Sequence, residues 1–116
     1  MIRVLVVDDN VSFLAAATEV VVASDGFELE GVAATGEEGV ELARLRRPDL
    51  ALVDLNMPGI DGRETAARMA LESRGTAIVL MTVTPDPTGR SGGVFDKRKL
   101  SPASLAEIWA QAKPAR

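Results

Sequence analysis

The chain has 116 residues, 47% of them hydrophobic and 26% charged, which is the length and composition of one globular unit with a single core. It contains neither cysteine nor histidine, so disulfides, thiolate or imidazole metal sites, His-based triads and a phosphohistidine carrier are all excluded. The net charge of -4 is uneven. Residues 1–61 hold 12 acids and 4 bases, while residues 62–116 hold 5 acids and 9 bases. An acidic first half favours cations and basic partners over direct nucleic-acid binding.

Taken in chain order, short apolar runs alternate with helical patterns. Ile2–Val7 predicts a strand that stops at Asp8-Asp9, and Val11–Ser24 places Phe13, Leu14, Ala17, Val20 and Val21 at helical spacing. Phe27–Ala34 predicts the second strand. Glu37–Arg46 predicts a helix with Val40, Leu42, Ala43 and Leu45 inward and Glu37, Glu38 and Glu41 outward. Leu50–Val53 predicts the third strand, ended by Asp54. Arg63–Ser73 predicts a helix carrying Ala66, Ala67, Met69 and Ala70. Ala77–Met81 predicts the fourth strand, ended by Thr82, and Val94-Phe95 a brief fifth one leading to Lys97. Pro102–Lys113 predicts the last helix, with Ser101 as N-cap and Leu105, Ile108, Trp109 and Ala112 on one stripe.

Continuous apolar strands between helices point to a parallel sheet covered on both faces. The expected fold is α/β: a flavodoxin-like, doubly wound five-stranded parallel sheet of order 2-1-3-4-5, with residues 1–116 forming one domain. Pro85, Pro87, Gly89, Gly92 and Gly93 oppose a helix in 83–93. The fourth helix is therefore expected to be shortened or replaced by a loop. No apolar run approaches a membrane span or a signal-peptide core, so a cytoplasmic protein without membrane contact is expected.

In a parallel sheet the strand C-termini share one edge, where ligands bind. That edge collects Asp8, Asp9, Asp54, Thr82 and Lys97. Neighbouring strands lie about 4.8 Å apart, so acids from the first and third can converge. Like charges about 4 Å apart repel by roughly 4 kcal/mol at an effective dielectric of 20. Such a cluster either holds its protons more tightly or recruits a cation, a hard divalent ion such as Mg2+ being the natural one, and a screened carboxylate can then act as nucleophile toward a phosphoryl group. Taken singly, each residue also has an ordinary role. Asp9 or Asn10 can cap a helix, 54–59 can be a simple turn, Thr82 a strand residue and Lys97 a solvated lysine.

The stretches Val6-Val7-Asp8-Asp9-Asn10 and Asp54-Leu55-Asn56-Met57-Pro58-Gly59-Ile60-Asp61-Gly62 resemble the receiver domains of bacterial response regulators, the family of the chemotaxis Y protein. Gly26–Glu38 also matches that family's second strand and the start of its second helix. The resemblance implies that Asp54 is the phosphoacceptor of a two-component phosphorelay. It also implies that Asp9, Asp54 and the backbone carbonyl of Asn56 bind Mg2+, with Asp8 reaching it through water or orienting a ligand. Thr82 matches the switch hydroxyl and Lys97 the site lysine, with Lys99 as second choice. Asn56 and Thr84 fall where the family tunes phosphorylation and hydrolysis rates. Val94 stands where a switch aromatic is common, and Arg98 where many members carry proline.

The implied partners are a sensor histidine kinase or histidine phosphotransfer protein and a downstream effector, with a homodimer allowed. The implied role is that of an acceptor rather than an enzyme. Three rivals are an interaction module with phosphorylation-independent output, the N-terminal receiver of a DNA-binding transcriptional regulator, and a phosphatase using Asp54. The last lacks the Asp-x-Asp pattern, since Asp54-Leu55-Asn56 stands there. Nucleotide binding is weaker still, without Gly-x-Gly or a P-loop.

Overall fold

The computed structural model describes residues 1–84 and 94–113. The strands are β1 (Ile2–Val7), β2 (Phe27–Ala33), β3 (Leu50–Asp54), β4 (Ala77–Thr82) and β5 (Val94–Asp96). The α-helices among the described residues are α1 (Val11–Val22), α2 (Gly36–Arg46), α3 (Gly62–Glu72) and α4 (Pro102–Ala112), with a 3-10 turn at Lys97–Lys99. The strands form one parallel sheet in the order β2-β1-β3-β4-β5, as the sequence predicts. The loop expected in place of a helix falls largely on 85–93, outside the described residues.

Alternation along the central strands builds two cores. Val4, Val6, Leu50 and Leu52 pack with Ala17 and Val21 of α1 and Leu105 and Ile108 of α4. Leu5, Val7, Ala51 and Val53 face the other way, toward Ala43 of α2 and Met69 of α3. All five residues of β3 are buried, which is why it reads as an unbroken apolar run up to Asp54. Helix starts are set by side-chain caps. Asn10, Thr35, Asp61 and Ser101 each accept a hydrogen bond from the backbone N–H three residues on, and Ser101 with Ser104 completes a capping box ahead of Pro102 at the first turn.

The inward face of α2 differs from the sequence expectation. Gly36, Gly39 and Ala43 are its buried residues, whereas Leu45 is 61% exposed. Close approach to the sheet selects the small residues: a Cβ on Gly39 would lie 2.7 Å from Val7 Cγ2 and 3.0 Å from Cγ1. Likewise α3 buries Gly62, Thr65 and Met69, leaving Ala67 and Ala70 exposed. Gly39→Ala is expected to lower unfolding free energy by about 1–2 kcal/mol through overpacking, despite alanine's better helix propensity, as read by urea titration.

Candidate functional site

Register brings the site together. Val7 of β1 pairs with Val53 of β3, so the next residues, Asp8 and Asp54, leave the sheet side by side. Thr82 of β4 pairs with Asp96 of β5, and Lys97 follows at once. Asp54 and Thr82 are themselves the last residues of their strands, one position further than the apolar runs alone indicate.

Asp8 is fully buried, Asp54 is 5% exposed and Asp9 is exposed. Each offers a carboxylate oxygen, and the three oxygens lie within 4.8 Å of one another. Asn10 N–H donates to Asp8 Oδ1 at 2.8 Å. Asp8 Oδ2 sits 2.5 Å from Lys97 Nζ, yet receives no well-aligned hydrogen bond. The Lys97 ammonium also lies 3.7 Å from Asp54 Oδ1. Burial, and next the Asp8 charge, push the Asp54 carboxyl above its ordinary value against the opposing pull of Lys97. Three hard oxygen donors and an under-bonded buried carboxylate oxygen are a donor set that suits Mg2+.

The predicted residues separate clearly. Lys97 is buried in the cluster and Lys99 is exposed, because Asp96 caps the 3-10 turn by accepting from Arg98 N–H at 2.9 Å. That turn sends Lys97 inward and leaves Arg98 and Lys99 outside; a proline at 98 would have no N–H to give. Thr82 is buried, and its hydroxyl oxygen accepts from Asn56 Nδ2 at 3.3 Å and from Thr84 N–H at 3.2 Å. Asn56 N–H in turn points to Asp54 Oδ1 at 3.4 Å. Asn56 thereby links the end of β3 to the end of β4. Sequence reading missed one member of the site. Phe13, which its spacing assigns to the core stripe of α1, places its ring under Lys97 Nζ, 4.4 Å from the centroid.

Comparison with known proteins agrees with this geometry. The family model for the response regulator receiver domain matches residues 4–91. Among curated proteins, the chain is 41% identical over 91 residues to a protein-glutamate methylesterase/protein-glutamine glutaminase 2 of Anaeromyxobacter dehalogenans, covering 78% of this chain and 26% of that protein. It is 38% identical over 91 residues to the response regulator GacA of Pseudomonas viridiflava, covering 76% of this chain and 42% of that protein. The chain thus spans well under half the length of these two relatives. Among solved structures, the signal receiver domain of the putative response regulator NarL from Mycobacterium tuberculosis superposes with a TM-score of 0.82 at 25% identity, covering 95% of this chain and 94% of that one. The chemotaxis protein CheY4 of Vibrio cholerae superposes at 0.76 with 28% identity, covering 97% of this chain and 98% of that one. A match running from the first buried residues of β1 through β4, on a sheet of this order with acids at its carboxyl edge, leaves no competing assignment: the chain belongs to the response regulator receiver domains of two-component systems.

Proposed function

We propose that this receiver accepts a phosphoryl group on Asp54 and passes the change on to a downstream effector. The observation that carries the reading is the placement of Asp54 beside Asp8 and Asp9, at the mouth of the sheet edge and within reach of the Lys97 ammonium. These 116 residues contain no histidine, so a phosphohistidine donor lies outside them, as on a sensor kinase or phosphotransfer protein. An Asp54 carboxylate oxygen attacks phosphorus; the new P–O bond forms as the donor's N–P bond breaks, and the imidazole nitrogen keeps the electron pair.

Asp9, Asp54 and the Asn56 carbonyl would hold Mg2+, with Asp8 reaching it through water or orienting a ligand. Bound there, the ion supplies charge neutralisation for the carboxylates and the phosphoryl oxygens. Lys97 offers a compact positive charge to one added oxygen, and the Thr82 hydroxyl a hydrogen bond to another. To do so Thr82 redirects its proton, which Thr84 Oγ1 at 3.3 Å is placed to take, while Asn56 Nδ2 and Thr84 N–H donate to its oxygen. That redirection moves the ends of β3 and β4 together and biases a two-state equilibrium at the effector surface. Among the described residues no helix is long and apolar enough to cross a membrane, and a cytoplasmic site of action fits a kinase-facing acceptor.

Beryllofluoride with Mg2+ tests the reading. The expected result is a saturable change in the NMR resonances of Asp54, Thr82 and Lys97, absent in Asp54→Asn. A folded wild-type protein whose spectrum does not respond would overturn it.

A further inference from the structure

We propose that Phe13 is a positioning residue for Lys97, its ring holding the ammonium where it can meet a phosphoryl group on Asp54. The inference rests on the phosphoacceptor reading above. Lys97 Nζ stands over the Phe13 ring at 4.4 Å from the centroid, well inside the range of a cation–π contact. Its side chain is 7% exposed, so the ammonium has lost nearly all its water, the setting in which such contacts are strongest. The negative charges beside it, Asp8 Oδ2 at 2.5 Å and Asp54 Oδ1 at 3.7 Å, supply attraction from the sheet edge.

The choice of an aromatic has a chemical consequence. A ring face attracts a cation without accepting its protons in strong, directional bonds, so the N–H groups of Lys97 stay available to oxygen acceptors. A carboxylate in the same place would bind the ammonium and compete with a phosphoryl oxygen. An aliphatic side chain would cover the ammonium with no compensating interaction, and burial alone disfavours a charge.

The location of the ring is fixed by local structure. Asn10 caps α1 by accepting from Phe13 N–H at 3.0 Å and itself donates its N–H to Asp8 Oδ1 at 2.8 Å, which ties the first turn to the acid. Phe13 also packs against the core shared by α1 and α4, so its ring cannot easily swing away. The lysine on β5's exit, the acids on β1 and β3, and an aromatic on α1 therefore meet at one ammonium.

Three proteins test the assignment: wild type, Phe13→Leu and Phe13→Tyr, each checked by urea unfolding. In the unphosphorylated state, the Lys97 Hε resonances are expected to show an upfield ring-current shift in wild type and Phe13→Tyr that Phe13→Leu loses. With acetyl phosphate and Mg2+, Phe13→Leu is expected to take up phosphoryl about three- to tenfold more slowly at saturating Mg2+, and Phe13→Tyr to recover most of that loss. Absence of the ring-current shift in wild type would overturn the contact. A Leu variant as fast as wild type, or a Tyr variant as slow as Leu, would overturn the role and leave only packing. A wild-type protein that shows the shift but never takes up phosphoryl would overturn the phosphoacceptor reading, and the role with it, while the contact stands.

Discussion

Replacing Lys97 with methionine in chelator is expected to lower the unfolding free energy by about 3–5 kcal/mol, the range found when one partner of a buried ion pair is removed. Lys97 and Asp8 are both buried, and their 2.5 Å contact is the sole opposite charge that Asp8 Oδ2 meets among the described residues. Methionine keeps most of the side-chain volume and can still lie against the Phe13 ring, so the loss reports charge rather than a cavity. What remains is a fully buried carboxylate, with Asp54 and Asp9 within 4.8 Å and no cation.

The companion change, Asp8→Asn, is expected to cost less, because Lys97 retains Asp54 at 3.7 Å. Combining the two is expected to cost less than the sum of the single changes, the signature of a direct pair. Mg2+ is expected to return part of the stability of Lys97→Met, since an ion that binds only the folded cluster adds its binding free energy. Urea titrations with and without Mg2+ measure all of this. A loss under about 1 kcal/mol in chelator would mean that the pair behaves like a hydrated surface bridge.

The legible part of this molecule is the part where one residue type serves both fold and site. Apolar runs that end on acids, as Ile2–Val7 does at Asp8 and Leu50–Val53 at Asp54, give strand position and sheet edge together, and the alternation with helices fits the order 2-1-3-4-5. Less legible is whatever depends on the distance between elements. The α2 stripe of Val40, Leu42 and Leu45 is a sound hydrophobic pattern, yet α2 lies so near Val7 that Gly39 makes the contact, Gly36 packs against Ile60 and Thr65, and Leu45 stays outside. Apolar periodicity has no way to favour a missing side chain.

The choice between Lys97 and Lys99 is of another kind. It is decided by the Asp96 carboxylate accepting from Arg98 N–H, a local turn that strand and helix periodicities do not register. Phe13 has the spacing of a core residue because it is one; its second contact appears only when β5 delivers a lysine from far along the chain. The one signal it leaves in the sequence is an aromatic in the first turn of the helix that follows the paired acids. The link from Asn56 to Thr82 spans 26 positions and has no sequence signature at all.

Asp54→Asn is expected to separate the phosphoacceptor role proposed for this carboxylate from its electrostatic cost to the fold. Phosphoryl uptake and the beryllofluoride response should be lost entirely, since an amide has no carboxylate oxygen to esterify. In chelator, however, the variant is expected to be more stable than wild type by about 1–3 kcal/mol, the cost of burying the Asp54 charge and its repulsion by neighbouring carboxylates, less the attraction of Lys97. The sign follows from the raised Asp54 carboxyl. A group that holds its proton more tightly folded than unfolded leaves the native state binding more protons between the two values. Stability therefore falls as pH climbs from the ordinary carboxylate value through the raised one. The difference between the Asp54→Asn variant and wild type should accordingly be small at low pH, widen across that window and level off above it. Mg2+ should narrow it again, by stabilising wild type more than a variant that lacks one of the charged donors. Urea midpoints over a pH series, in chelator and in Mg2+, give both trends. A variant less stable than wild type in chelator at neutral pH would mean that the attraction of Lys97 outweighs both the burial of the Asp54 charge and its repulsion by Asp8 and Asp9.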